Sequence, residues 1–155
     1  MILGYGLQLM TKDVDVVEIH GSSLQDIAIR LFGKDSPGSQ QWGFYLETVS
    51  SGLPPLPAGY PSRCIDVIGP WSVIRPKRPE AHDLIVTKLQ RFRARDREDV
   101  QILCDTGGVS GEVLKKRLDS AFECHADEGE DPGRKKAYAS LRLVHSYLKG
   151  ERRGL

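Results

Sequence analysis

Four of the chain's nine prolines fall in one short stretch, SGLPPLPAGYPS at residues 51–62, and no other feature limits the fold as strongly. Proline has no backbone N–H to give a neighbouring strand, and it keeps the residue before it out of helical geometry, so neither a sheet interior nor a helix can run through this stretch. A surface loop is expected here, with separately built elements on either side. On the N-terminal side, residues 14–19 (VDVVEI) are rich in β-branched side chains and end at His20-Gly21, which reads as a strand and a turn. Ser22 or Ser23 can then cap a helix from Leu24 to Phe32, where Leu24, Ile27, Ala28 and Leu31 recur at helical spacing and Gly33 can close the helix with a positive φ. Residues 34–41 are polar and contain Pro and Gly, and strand chemistry returns at residues 42–49.

Beyond the prolines, RCIDVIG and WSVIRP read as short strands with Gly69-Pro70 as the turn between them. From Pro79 the pattern becomes helical. Helices are expected over residues 79–94, over 97–106 with Gly107-Gly108 as the stop, over 110–122 with Ser110 as cap, and, after the acidic ADEGEDPG, over 134–149. In the last of these Ala137, Leu141, Val144 and Leu148 share a face that can pack on the core or on a second copy. The expected fold class is α+β: a small mixed β-sheet with flanking helices, followed by a C-terminal helical part. Residues 1–155 read as a single domain, strand-rich over 1–78 and helical over 79–155, with no internal repeat.

Composition removes several function classes. Twenty-two Lys and Arg against twenty-one Asp and Glu leave a net charge of +1, so any anion site must be local rather than a basic surface. Cys64, Cys104 and Cys124 are odd in number, widely spaced and lack a C-x-x-C pair, which supports neither a disulfide framework nor a zinc site. The N-terminal MILGYGLQLM has no basic leader or cleavage site, and no run approaches about 18 apolar residues, so the expected location is the cytoplasm and no membrane partner is expected. The glycines of LGYG are not followed by the lysine and hydroxyl of a phosphate loop, and His20, His82, His125 and His145 show no metal-ligand spacing.

The chemistry concentrates in TKDVDVVEI. Strand side chains alternate faces, so Asp13 and Asp15 point the same way with α-carbons roughly 6.5 to 7 Å apart, while Val14 and Val16 enter the opposite layer. Two like charges at one spot call for a cation, and hard carboxylate oxygens favour Mg²⁺ or Mn²⁺. Phosphoryl and nucleotidyl transfer use such pairs; a third carboxylate from a neighbouring strand completes the site, and Asp66 in RCIDVIG is the candidate. A solvated strand is the competing reading of D-x-D. In DLIVTKLQRFRARDRED, Lys88 lies within or beside an apolar stripe, where it must snorkel to water or meet an anion, such as a phosphate. Arg93 and Asp96, one turn apart, read as a structural salt bridge, and Arg91, Arg95 and Arg97 as a solvated basic face.

Taken in order, TKDVDVV, the loop LPAGYPSR, a short strand and DLIVTKL…RARDREDVQIL resemble bacterial proteins of the minimal nucleotidyltransferase superfamily, with the polymerase-beta-like fold. The resemblance runs over roughly residues 4 to 120 and is narrower to an uncharacterised branch related to the nucleotidyltransferases of type IV toxin–antitoxin systems. It implies that Asp13 and Asp15 are metal ligands on a T-x-D-[VI]-D strand, and that Asp66 completes the site or acts as base. It also implies that Lys88, with Lys12 and Arg93, contacts the nucleotide, and that Asp83, Lys88, Arg93 and Asp96 match a D-L, K-L, R-x-x-D helical motif. The implied activity is Mg²⁺- or Mn²⁺-dependent transfer of a nucleoside monophosphate from an NTP to a hydroxyl on tRNA, another RNA or a protein, as the toxin of a toxin–antitoxin pair with an antitoxin partner. Such proteins carry a helix and a Gly-Gly or Gly-Ser motif before the D-x-D strand, where backbone amides cradle phosphates. Only MILGYGLQLM stands there, so the expectation is a chain shortened at its N-terminus, with apolar surface that a homodimer would cover. On that ground the competing functional reading is a catalytically inactive binding or regulatory module of the same fold.

Overall fold

The computed structural model describes residues 13–16, 24–49, 55–68, 75–106, 108–123, 131–151 and 153–155. The turn expected at His20-Gly21, the caps Ser22 and Ser23, the turn Gly69-Pro70, the residues WSVI, and Lys12, His20, Gly107, Cys124 and His125 lie outside them. The architecture is α+β, and the chain forms two compact units, Met1–Pro54 and Pro55–Leu155. Their boundary falls inside the proline-rich stretch, well before the change to helical composition at residues 78 and 79.

In the first unit, β1 (Asp13–Val16) pairs in parallel with β2 (Tyr45–Thr48), and Val49 extends the ladder by donating its N–H to the carbonyl of Val16 at 3.0 Å. Parallel neighbours need a crossover, and α1 (Leu24–Phe32) with α2 (Pro37–Trp42) supplies it. The Phe32 ring stacks on Phe44 with centroids 6.2 Å apart, fixing the end of α1 to the start of β2. Two details differ from expectation. Gly33 is not the left-handed residue; its N–H still donates to Ile29 O at 2.7 Å, and the chain reverses at Asp35, whose φ is 63°. Residues 34–41 are also not merely a linker. Ser36 caps α2 by accepting from the Ser39 N–H, Pro37 occupies the first turn, and Gly43 closes the helix with φ of 73°. That is a complete set of start and stop signals without an apolar stripe. Gly38 is required there, because a Cβ would run into the carbonyl of Leu31 and the ring of Phe32.

The second unit is built on α3 (Ala81–Leu89), α4 (Ala94–Thr106), α5 (Gly111–Glu123) and α6 (Pro132–Leu148), with α3 against each of the other three. Its core is Ile85, Val86, Leu89, Val100, Leu103, Leu114, Leu118 and Val144, all fully buried. Such side chains contribute roughly 1.5–3 kcal/mol each when removed from water. Asp131 starts α6 by accepting the Gly133 N–H at 2.7 Å, ahead of Pro132. Ala137, Leu141 and Val144, three of the four stripe residues, are buried, so this face packs on the core.

The helix expected over 79–94 stops at Leu89, because Phe92 is buried with φ of 43° and breaks the repeat. The proline-rich stretch is also more than a surface loop. Pro55 and Pro57 are buried, Tyr60–Arg63 forms a short 3-10 helix, and Ala58 donates its N–H to Ser120 Oγ at 3.1 Å. A proline buries no unsatisfied N–H, so residues unfit for a sheet can still line a core. A two-residue hairpin pairing completes this unit: β3 (Ile65–Asp66) runs antiparallel to β4 (Lys77–Arg78), with Asp66 opposite Lys77.

Candidate functional site

In the first unit, the register pairs Asp13 with Tyr45, Val14 with Leu46, Asp15 with Glu47 and Val16 with Thr48. Paired residues of neighbouring strands project to the same face, and the strands lie about 4.8 Å apart. Asp15 and Glu47 are therefore adjacent carboxylates on one face, both exposed, while Val14 and Leu46 turn half-buried to the other. Among the described residues neither Asp15 nor Glu47 has an ion pair or a side-chain hydrogen bond. Their oxygens are free to take a hard cation, and the uncompensated negative charge would favour one. The side chain of Asp13 lies outside the described residues, and among those described no group of three His, Cys, Asp or Glu forms a metal cluster.

The strand beside β1 among the described residues is β2, and β3, which carries Asp66, pairs with β4 instead. Asp66 is exposed and reaches the Lys77 ammonium at 3.6 Å. Glu47 was missed in the sequence because it becomes a neighbour of Asp15 only through the parallel register, which no spacing along the chain reveals.

In the second unit Lys88 meets an anion of its own chain. Its Nζ donates to Asp99 Oδ2 at 2.6 Å and stands 3.8 Å from Asp96 Oδ1, with the lysine side chain 15% exposed. Asp96 does not form the salt bridge expected with Arg93. Its oxygens accept from Arg91 Nε at 2.9 Å and Nη2 at 2.7 Å, and from the backbone N–H of Arg93 at 2.9 Å. Arg93 directly precedes α4, so Asp96 reaches back to the helix start as a capping residue does. The Arg93 side chain is exposed.

Burial pushes the Asp96 carboxyl upward, but the hydrogen bonds from Arg91 and the Arg93 amide, with the charges of Arg91 and Lys88, outweigh it and hold the group below the usual aspartate range. A depressed folded-state value means stability that is present above the unfolded value of about 4 and lost as pH falls through the lower folded one. Urea unfolding of the wild type should therefore lose stability in that acid window, and Asp96→Asn should flatten the loss. Identical pH slopes for the two proteins would show that Asp96 is not one of the groups responsible.

A second ionic centre, which sequence reasoning missed, joins residues twenty apart. Asp83 is fully buried in α3, and Arg63 grips it with Nε to Oδ2 at 2.9 Å and Nη2 to Oδ1 at 3.1 Å. Next to it in α3, His82 bridges two elements: its Nδ1 donates to Glu80 Oε2 at 2.8 Å, and its Nε2 accepts the Ser110 N–H at 2.9 Å. His145 donates from Nε2 to Gly111 O at 2.8 Å, so both described histidines hold the start of α5. Cys64 and Cys104 are unpaired thiols, and burial, with Asp105 adding to it, pushes Cys104 up to about 11, a direction that disfavours the reactive thiolate. No described helix is long and apolar enough to cross a membrane.

A protein-family model described as "Nucleotidyltransferase of unknown function (DUF6036)" matches residues 1–146. No curated protein and no solved structure gives a significant match.

Proposed function

Because the chain belongs to this family of nucleotidyltransferases of unknown function, we propose that it moves a nucleoside monophosphate from an NTP to a hydroxyl of an RNA or a protein. The observation that carries the reading is the side-by-side exposure of Asp15 and Glu47 on the D-x-D strand pair, free of any cation among the described residues. Asp13 and Asp15 are assigned as ligands of Mg²⁺ or Mn²⁺, with Glu47 as the third carboxylate. An all-oxygen set of this kind suits either ion. What the cation supplies there is neutralisation of the triphosphate and a more acidic acceptor hydroxyl.

Strand alternation puts Asp15 and Glu47 on the face opposite the half-buried Val14 and Leu46, which supports their use as a shared ligand pair. Asp66 is assigned as base toward the acceptor hydroxyl. Lys12, Lys88 and Arg93 keep the role that the resemblance gives them, as cations for the triphosphate, and Lys88 would have to share itself with Asp99 to fill it. The toxin role and an antitoxin partner belong to the same proposal.

The test is label transfer. The full chain is incubated with each of the four α-labelled ribonucleoside triphosphates, with tRNA and with cellular protein, in Mg²⁺ or Mn²⁺ and in chelator. We expect labelled product with one triphosphate and divalent metal, and none in chelator. Absence of label on every acceptor with either metal would refute the transferase reading.

A further inference from the structure

We propose that Arg117 and Arg63, in the second unit, form a binding site for a phosphoryl oxyanion. The proposal does not depend on the transferase reading or on the D-x-D strand. Asp83 brings one negative charge to a fully buried position, and Arg63 alone satisfies both of its oxygens in the bidentate geometry that guanidinium and carboxylate share. Arg117 nevertheless points at the same carboxylate, its Nε 3.5 Å from Asp83 Oδ1. That contact is an ion pair and no hydrogen bond: the Arg117 Nε is buried and has no hydrogen-bond partner. Among the described residues Arg117 makes no hydrogen bond at all, although its side chain is only 27% exposed.

Two guanidiniums against one carboxylate leave a surplus positive charge in a place partly withdrawn from water. Such a charge is costly to hold without an anion, and its N–H groups are costly to leave unpaired. The setting is also rigid. Arg63 donates from Nη1 to Ala58 O at 3.1 Å while Ala58 donates its N–H to Ser120 Oγ, one helical turn beyond Arg117 on α5. These bonds hold Arg63 and the segment around Ala58 against α3 and α5 before any ligand arrives, while the Arg117 donors stay unpaired among the described residues. The partial exposure of both side chains, 20% for Arg63 and 27% for Arg117, gives an anion access. A phosphoryl group fits because its several oxygens accept from a planar fork of N–H donors, as a halide cannot. Its source is either a free nucleotide or the backbone of an RNA.

The test observes the arginine Nε–Hε resonances of the full chain by NMR, with inorganic phosphate titrated in at constant ionic strength made up with chloride. The expected result is a saturable shift of the Arg117 signal. Arg117→Gln should weaken the phosphate response of the Arg63 signal roughly tenfold or more, the loss of a charge-assisted contact. Lys115→Gln removes the same charge from the exposed side of the same helix and should leave binding unchanged. Two further titrations locate the source: tighter binding of a short single-stranded oligoribonucleotide assigns RNA backbone, and tighter binding of a 5′-nucleotide assigns the free ligand. No saturable shift in the wild type, or equal weakening by Arg117→Gln and Lys115→Gln, would overturn the proposal. The wild-type titration decides this even where a variant is poorly folded.

Discussion

Asp83→Ala is expected to cost about 3 kcal/mol of folding stability, at the low end of the range for breaking a buried ion pair by removing one partner. The carboxylate is fully buried, and it is the only counter-charge among the described residues within reach of both Arg63 and Arg117. Without it two cations remain, each partly withdrawn from water and able to escape only through its limited exposure, which is why the low end applies. The damage spreads because Arg63 also donates to Ala58 O, so losing its anchor loosens the segment that carries the buried Pro57. Arg63→Ala should cost less, since Arg117 already lies 3.5 Å from the abandoned carboxylate and can close on it. Arg117→Ala should cost least. Urea unfolding of the three variants checks this order, and an Asp83→Ala loss under about 1 kcal/mol, the value of an exposed pair, would show that the centre is not holding the second unit together.

How far the sequence foretold this molecule depends on how local each signal is. The helix Leu24–Phe32 was legible because Leu24, Ile27 and Leu31 repeat at helical spacing, yet all three are substantially exposed, so the pattern foretold the helix and not its burial. The short α2 carries only cap signals, Ser36, Pro37 and Gly43, and these look like loop chemistry when no apolar stripe accompanies them. Phe92 hid the break between α3 and α4, since a buried aromatic three residues after Leu89 extends the helical period while its backbone leaves it. Asp83 was legible as the start of the D-L helical motif, but its partner was not, because only the fold brings Arg63 to it from before the β3–β4 pair. In the candidate site, Asp15 was readable from D-x-D, whereas Glu47 required a register.

That register supports the largest expected effect on activity. Glu47→Gln and Asp15→Asn each keep the shape of an exposed side chain and remove one negative oxygen from the same face of the strand pair. Neither residue has a partner to lose among the described residues, so thermal unfolding should change by no more than the usual small effect of a surface substitution, within about 0.5 kcal/mol. If these carboxylates hold the divalent cation, the catalytic loss is that of an interaction worth several kcal/mol in the transition state, about a thousandfold in rate. Asp66→Asn separates the two candidates for the remaining carboxylate. As a base toward the acceptor hydroxyl, Asp66 should cost about 10²–10⁴-fold in turnover without changing the metal concentration needed for half activity. Glu47→Gln should raise that concentration. Metal titrations of label transfer for the three variants read the difference directly. A Glu47→Gln protein with unaltered metal dependence, beside an Asp66→Asn protein that needs more metal, would move the third ligand from the strand paired with Asp15 to the short strand that follows the prolines.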